Sequence, residues 1–252
     1  KRAVDFEHFV RHSPQAKAIF QKYGFKFSLK SQELRMLSPE ELSALYLSAK
    51  VALFATVFSL PFAIALGWYL ARYEFRLKFI VEALLQLPMV LPPVVLGYLL
   101  LVMFGNQGML GKYLNLLGIQ LAFNWKGAVL ASIVVAFPLI VQPIRLSFQL
   151  MNRQLEQVAG SLGAAPIKIF FSIHLPLAMP GIVIGSILCF SRSLGEFGAT
   201  MTFVGNIPDE TRTIPIAIYS FLQQPNGEEM AMRLVSLSLI LAFSALFANY
   251  FI

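Results

Sequence analysis

The chain has 252 residues, 57% of them hydrophobic and 13% charged, with 23 phenylalanines. Soluble domains average about 45–50% apolar and about 25% charged, so these proportions exclude a soluble globular domain and point to a polytopic membrane protein. The net charge of +7 invites a nucleic-acid reading, but the basic residues sit at the ends of apolar segments rather than in one stripe, which fits membrane topology instead.

Residues 1–36 read as soluble. Phe6, Phe9 and Val10 can share a helix face, Ser13-Pro14 forms an N-cap with a first-turn proline, Ala16, Ile19 and Phe20 make an apolar face, and Gly24 is a stop signal. His8 and His12 stand at i, i+4 with no third ligand nearby, so they read as a solvated helix face rather than a metal site. Met36 precedes a capping box, Ser38 with Glu41, that opens a long apolar helix. The preceding residues are expected to be the tail of another protein, joined by fusion or by an upstream reading of the frame; a start at Met36 would suit a stand-alone protein and remove the fusion.

The first span is expected over 42–70, carrying Lys50 near its beginning and a kink at Pro61, followed at once by Arg72, Arg76 and Lys78. The second, 79–104, is interrupted by Pro88, Pro92 and Pro93, so part of it must be non-helical and face protein or a cavity. Gln86 and these prolines either line a pathway or mark a packing kink. The polar stretch 105–126 includes G-N-Q-G-M-L-G-K, which is no phosphate loop: five residues separate Gly105 from Gly111, and Tyr113 occupies the Ser/Thr position. The third span, 127–148, holds Pro138 and Pro143 and ends on Arg145.

A polar segment, 150–176, follows. Leu155, Val158, Ala159 and Leu162 fall at i, i+3, i+4 and i+7, predicting a short helix with one apolar stripe that needs a partner. Gly163 ends it, Pro166 starts a second helix through Ile167, Ile169, Phe170, Phe171 and Ile173, and Pro176 closes that one. The result is a helix-turn-helix knob between two spans, with Arg153, Lys168 and His174 belonging to it. The fourth span, 177–202, carries Arg192 and Glu196, the one ion-pair candidate expected at membrane depth, at i, i+4 on one helix face. The pair either holds helices together or leaves Arg192 to attract an anion. Gly195 and Gly198 allow close packing or a bend there, and Cys189, the single cysteine, reads as a small buried residue. After a turn-rich stretch with a short apolar piece at 214–222, too short to span alone, a fifth span covers 232–252.

The short loops bearing Arg72, Arg76 and Lys78, and Arg145, Arg153 and Lys168, belong in the cytoplasm by the positive-inside rule. The stretches 105–126 and 205–231 and the N-terminus are then outside, and the C-terminus is cytoplasmic. No catalytic set, metal cluster or cofactor loop is legible, so the expectation is that the chain is not an enzyme.

Within the knob, Gln157-Val158-Ala159, then Gly163, Ile173, Leu175 and Pro176, resemble the cytoplasmic loop of bacterial ABC importer permeases, whose pattern is E-A-A, three residues, G, nine residues, I-x-L-P. The departures are Gln157 for Glu and Val158 for the first Ala. Because Glu156 stands one position early, a carboxylate at the first motif position is not expected to be required. The resemblance implies an all-α polytopic bundle of the type I ABC importer permease kind, with about five transmembrane helices and a coupling loop at 150–176 that docks into a separate ATPase subunit. That subunit, not this chain, would bind ATP.

From about residue 40 to the end, L-P-M-V-L-P-P-V-V-L-G-Y-L-L-L at 87–101, R-S-L-G-E-F-G-A-T at 192–200 and N-I-P-D-E-T-R-T-I-P at 206–215 resemble the permeases of bacterial molybdate importers, while the R-x-L-G-E-[FY]-G theme is shared with sulfate and tungstate permeases. This implies a transmembrane domain over 37–252 in the inner membrane, working as a homodimer by alternating access with a periplasmic or extracellular molybdate-binding protein. Residues 1–36 resemble the end of such a binding protein. The alternatives are a sulfate or thiosulfate permease, and a secondary oxyanion transporter without an ATPase, which would show an inverted repeat.

Overall fold

A computed structural model of the chain describes residues 37–225 and 227–250, and every regular element among them is helical. The segment 1–36, with the His8 and His12 pair and the expected binding-protein remnant, lies outside the described residues. The helices are α1 (Pro39–Arg72), α2 (Lys78–Val90), α3 (Pro93–Phe104), α4 (Gly111–Leu116), α5 (Trp125–Gln149), α6 (Gln154–Ser161), α7 (Pro166–Ile169), α8 (Leu175–Leu177), α9 (Met179–Leu194), α10 (Gly198–Val204), α11 (Ile214–Leu222) and α12 (Glu228–Tyr250). A π-helical turn, Phe170–His174, joins α7 to α8.

α1 begins where the sequence places it. Ser38 Oγ accepts the Glu41 N–H at 3.2 Å and Glu41 Oε2 accepts the Ser38 N–H at 2.6 Å, the reciprocal capping box. The helix then runs through Pro61 for 34 residues. α1 and α5 are each long and apolar enough to cross a membrane, and counting each bent pair, α2 with α3 and α7–α8 with α9, as one span gives four. The fifth expected span corresponds to α12, of 23 residues.

α1, α5 and α9 pack on one another as the centre of the bundle. The core divides along their length. At one end Leu47, Val51 and Ala55 of α1 meet Leu96 and Leu100 of α3, Val129 and Val135 of α5, and Phe203 of α10. At the other, Leu70 of α1 meets Leu85 of α2, Ile140, Ile144 and Phe148 of α5, and Ile182 of α9. A third cluster seats α11 and α12 on the start of α1 through Ala44, Ile214, Phe221 and Leu234, so the short apolar piece at 214–222 is a helix with one face buried.

Polar contacts fasten the first end. Ser48 Oγ accepts the Ile214 N–H at 2.7 Å, Glu210 Oε1 accepts the Trp125 N–H at 3.3 Å, and buried Glu41 pairs with Arg233 at 3.0 Å. Lys50 Nζ sits 3.7 Å over the Trp125 ring, a cation–π contact.

The second span is broken as its prolines demand. α2 continues through Pro88, the chain opens at Leu91 and Pro92, and α3 leaves at 113° to α2. The fourth span is also broken, at Gly195–Phe197 between α9 and α10. The two breaks meet: a Cβ built on Gly198 would lie 3.0 Å from Pro93 Cβ, and one on Gly97 would lie 2.5 Å from the Ala199 carbonyl oxygen. Only glycine lets α3 and α10 cross this closely.

Gly97→Val is therefore expected to destabilise the protein by about 1–3 kcal/mol through overpacking, read as a lowered thermal midpoint in detergent. Gly160→Ala, inside α6 and with nothing within 4 Å of the added methyl, should not lower that midpoint.

Candidate functional site

The knob is assembled from local rules. Asn152 Oδ1 accepts the Gln154 N–H at 2.9 Å and opens α6. The helix stops in a paired αL cap: Gly163 adopts φ +83°, its N–H reaches the Gly160 carbonyl at 3.0 Å, and the Ala164 N–H reaches the Ala159 carbonyl at 3.0 Å. Ala165 is extended, as a residue before proline should be, and Pro166 occupies the first turn of α7.

The second helix departs from expectation. Pro176 does not close it. The helix widens by one residue over Phe170–His174, so that the Leu175 N–H bonds to the Phe170 carbonyl, and the path continues through Pro176 to Leu177 before bending 64° into α9. The π turn accommodates a proline that an α-helical ladder would have excluded.

The surface of α6 is unusual for a helix of a folded chain, because none of its residues is buried. Leu155, Val158 and Leu162 are 47%, 58% and 82% exposed, and Ile167 and Phe171 add 71% and 60% beside them. Gln157 and Gly163 are exposed with this stripe and Ala159 is half-buried, while Ile173 and Leu175 are half-buried, Leu175 packing on the core of the bundle, and Pro176 is exposed. The motif thus divides into an outward face and a root.

The root contains side chains the sequence reading did not single out as a site. Glu156 pairs with Arg72 at the end of α1, and its Oε1 lies 2.8 Å from His174 Nε2. The Trp68 indole N–H donates to His174 Nδ1 at 3.1 Å. Because indole is only a donor, Nδ1 is the acceptor in this contact. The Arg72 and His174 side chains are only 8% and 7% exposed. His174, which belongs to the knob as its sequence position implies, is a buried anchor of it. Glu156 was legible as a carboxylate beside the motif, but its partners stand 84 and 18 positions away, and no local pattern reveals them.

Arg192 and Glu196 do meet, at 2.7 Å, but not across one helix face. α9 ends at Leu194 and Glu196 lies in the break, where its Oε1 accepts the Ala199 N–H at 2.9 Å and so caps α10. The Glu196 side chain is 2% exposed and Arg192 33%. Nor is this the only pair in the apolar segments: Arg145 of α5 and Glu82 of α2 are joined at 2.7 Å, a contact that links two expected spans. Gln86 is exposed on α2.

These contacts also fix which loops share an end. Arg72 with Glu156, and Trp68 with His174, put the α1–α2 loop beside the knob, whereas Glu210 with Trp125 puts the 105–126 and 205–213 stretches together.

With this geometry in hand, the similarities are informative. The profile of the family described as "Binding-protein-dependent transport system inner membrane component" matches residues 63–252. The molybdenum transport system permease protein ModB of Haemophilus influenzae is 52% identical over 207 residues, covering 82% of this chain and 90% of the relative. ModB of Escherichia coli K12 is 51% identical over 212 residues, covering 84% and 93%. Among solved structures, a bacterial alginate ABC transporter in complex with an alginate pentasaccharide-bound periplasmic protein has a TM-score of 0.70 at 16% identity, over 99% of this chain and 91% of that one. The fold is that of an ABC importer permease.

Glu196→Ala, which strands Arg192 and uncaps α10, is expected to cost about 3 kcal/mol as read from thermal midpoints. Glu196→Gln keeps an acceptor for the Ala199 N–H and should cost less; the reverse order would assign the residue no capping role.

Proposed function

Because the chain belongs to the family of binding-protein-dependent transport system inner membrane components, multi-pass parts of membrane importers, we propose that it is the permease subunit of an ATP-driven importer of molybdate, with tungstate as a second substrate. ATP is bound and hydrolysed by a separate ATPase subunit, and the chain itself holds no cofactor. The observation that carries the reading is the knob. A solvent-facing stripe of Leu155, Val158 and Leu162, held in shape by the Gly163 cap and the Pro166 start, is a surface built for a protein partner.

Gln157, Val158, Ala159 and Gly163 form the docking face in this reading, and Ile173, Leu175 and Pro176 its root. The knob lies in the cytoplasm, supported by Arg72, Arg76, Lys78, Arg145, Arg153 and Lys168 at its end of the bundle, with the N-terminus outside. Two copies pair to enclose a path, the economical arrangement for a bundle this small. At the meeting of the two broken spans Arg192, one third exposed and tethered by Glu196, is the cation an entering oxyanion would meet. A periplasmic binding protein delivers the anion and supplies most of the selection. ATP-driven closure of the ATPase pair moves the knobs, and the spans open alternately to either side.

Molybdate uptake into proteoliposomes holding the permease, its ATPase and its binding protein should require ATP and resist excess sulfate. Uptake displaced by sulfate would move the chain to the sulfate branch, and uptake without ATP would contradict the importer reading. Gly163→Leu forces a branched residue into the left-handed region, at about 1–2 kcal/mol, and puts bulk on the docking face. It should insert into the membrane normally and lose at least about tenfold in coupled uptake, a ratio equivalent to about 1.4 kcal/mol.

A further inference from the structure

Four side chains that docking does not use converge behind the knob. Trp68 and Arg72 are four apart on α1, hence on one face of its last turns, Glu156 is on α6, and His174 ends the π turn. Glu156 meets the Arg72 guanidinium and lies 2.8 Å from His174 Nε2, while Trp68 donates to the other ring nitrogen at 3.1 Å. Three elements are thereby tied through one carboxylate and one imidazole. Trp68 also stacks edge-on against Phe170, with ring centroids 5.7 Å apart, which holds the π turn to α1 by a second contact. The widened turn ends on His174, whose Nδ1 faces Trp68 and whose Nε2 faces Glu156.

We infer that Trp68, Arg72, Glu156 and His174 form a fastener that locks α6 onto the last turn of α1, with Glu156 and His174 as positioning residues. Tilting α6 alone would leave a largely buried guanidinium without its carboxylate, a costly separation. α1 is carried along instead. A displacement of the knob therefore reaches the longest helix of the bundle directly rather than dissipating in the loop between α5 and α6. The force that displaces the knob rests on the proposed ATPase docking; the fastening is a property of the permease alone.

Two measurements test this separately. In the permease alone in lipid nanodiscs, Glu156→Gln should speed amide hydrogen exchange across residues 154–161 by about tenfold or more. The charge exchange Arg72→Glu with Glu156→Arg should recover much of the protection. Exchange unaltered by Glu156→Gln overturns the fastener. In the full transporter, Glu156→Gln should lower the number of anions moved per ATP by about tenfold while the ATPase subunit still copurifies, and the charge exchange should restore the ratio. A ratio equal to that of the unsubstituted protein also overturns it. If the unsubstituted protein shows no ATP-driven uptake, the importer reading falls and the exchange measurement decides the fastener alone.

Discussion

A carboxylate that is largely withdrawn from water must keep its cation, and the knob depends on that constraint. Glu156 is the only acidic residue of α6, and both groups it faces, Arg72 and His174, are nearly inaccessible. Because the pair is oriented inward, the hydrophobic positions of the same helix turn outward. The contact that roots the knob therefore also creates its exposed stripe. A helix of eight residues has little stability of its own, so its geometry is imposed by this root, by the Gly163 cap and by Pro166.

The same logic recurs deeper in the bundle. Breaking a span frees backbone groups that lipid cannot satisfy. The chain answers by placing the break of α2–α3 against the break of α9–α10, through Pro93 and Gly198, and by letting Glu196 accept one of the freed N–H groups while Arg192 balances its charge. Arg145 with Glu82 likewise neutralises two charges between expected spans. Each of these charged groups is thus paired with a residue of a distant element or of the break itself. The irregular backbone is concentrated at one junction and one knob, and α1, α5 and α9 remain regular around them.

Much of this was legible because it is local. The capping box at Ser38, the stop at Gly163, the start at Pro166 and the opening at Pro92 and Pro93 each follow from the backbone preferences of one or two residues. The apolar runs gave the spans to within a few positions. What was not legible is what lies across the chain. Arg72 read as a topology signal rather than an ion-pair partner, His174 as a member of the knob without its contacts, and Glu82 went unnoticed inside an apolar run, because pairing between remote positions leaves no periodicity. Spacing misled at Glu196, where i, i+4 presumes a helix that Gly195 has ended, and at Pro176, where a π turn removes the conflict that normally makes proline a stop. The outward face of α6 was legible as a stripe needing a partner; its root was not.

The central claim is that the exposed stripe of α6 is where an ATPase grips the permease. The most direct measurement is photo-crosslinking in the assembled transporter, with a benzophenone amino acid at Leu162 on the knob and, as a control, at Leu116 on α4 at the far end, positions 82% and 84% exposed. The account predicts adducts with the ATPase subunit from position 162 and none from position 116. Adducts with the ATPase from 116, or only lipid adducts from 162, would contradict it.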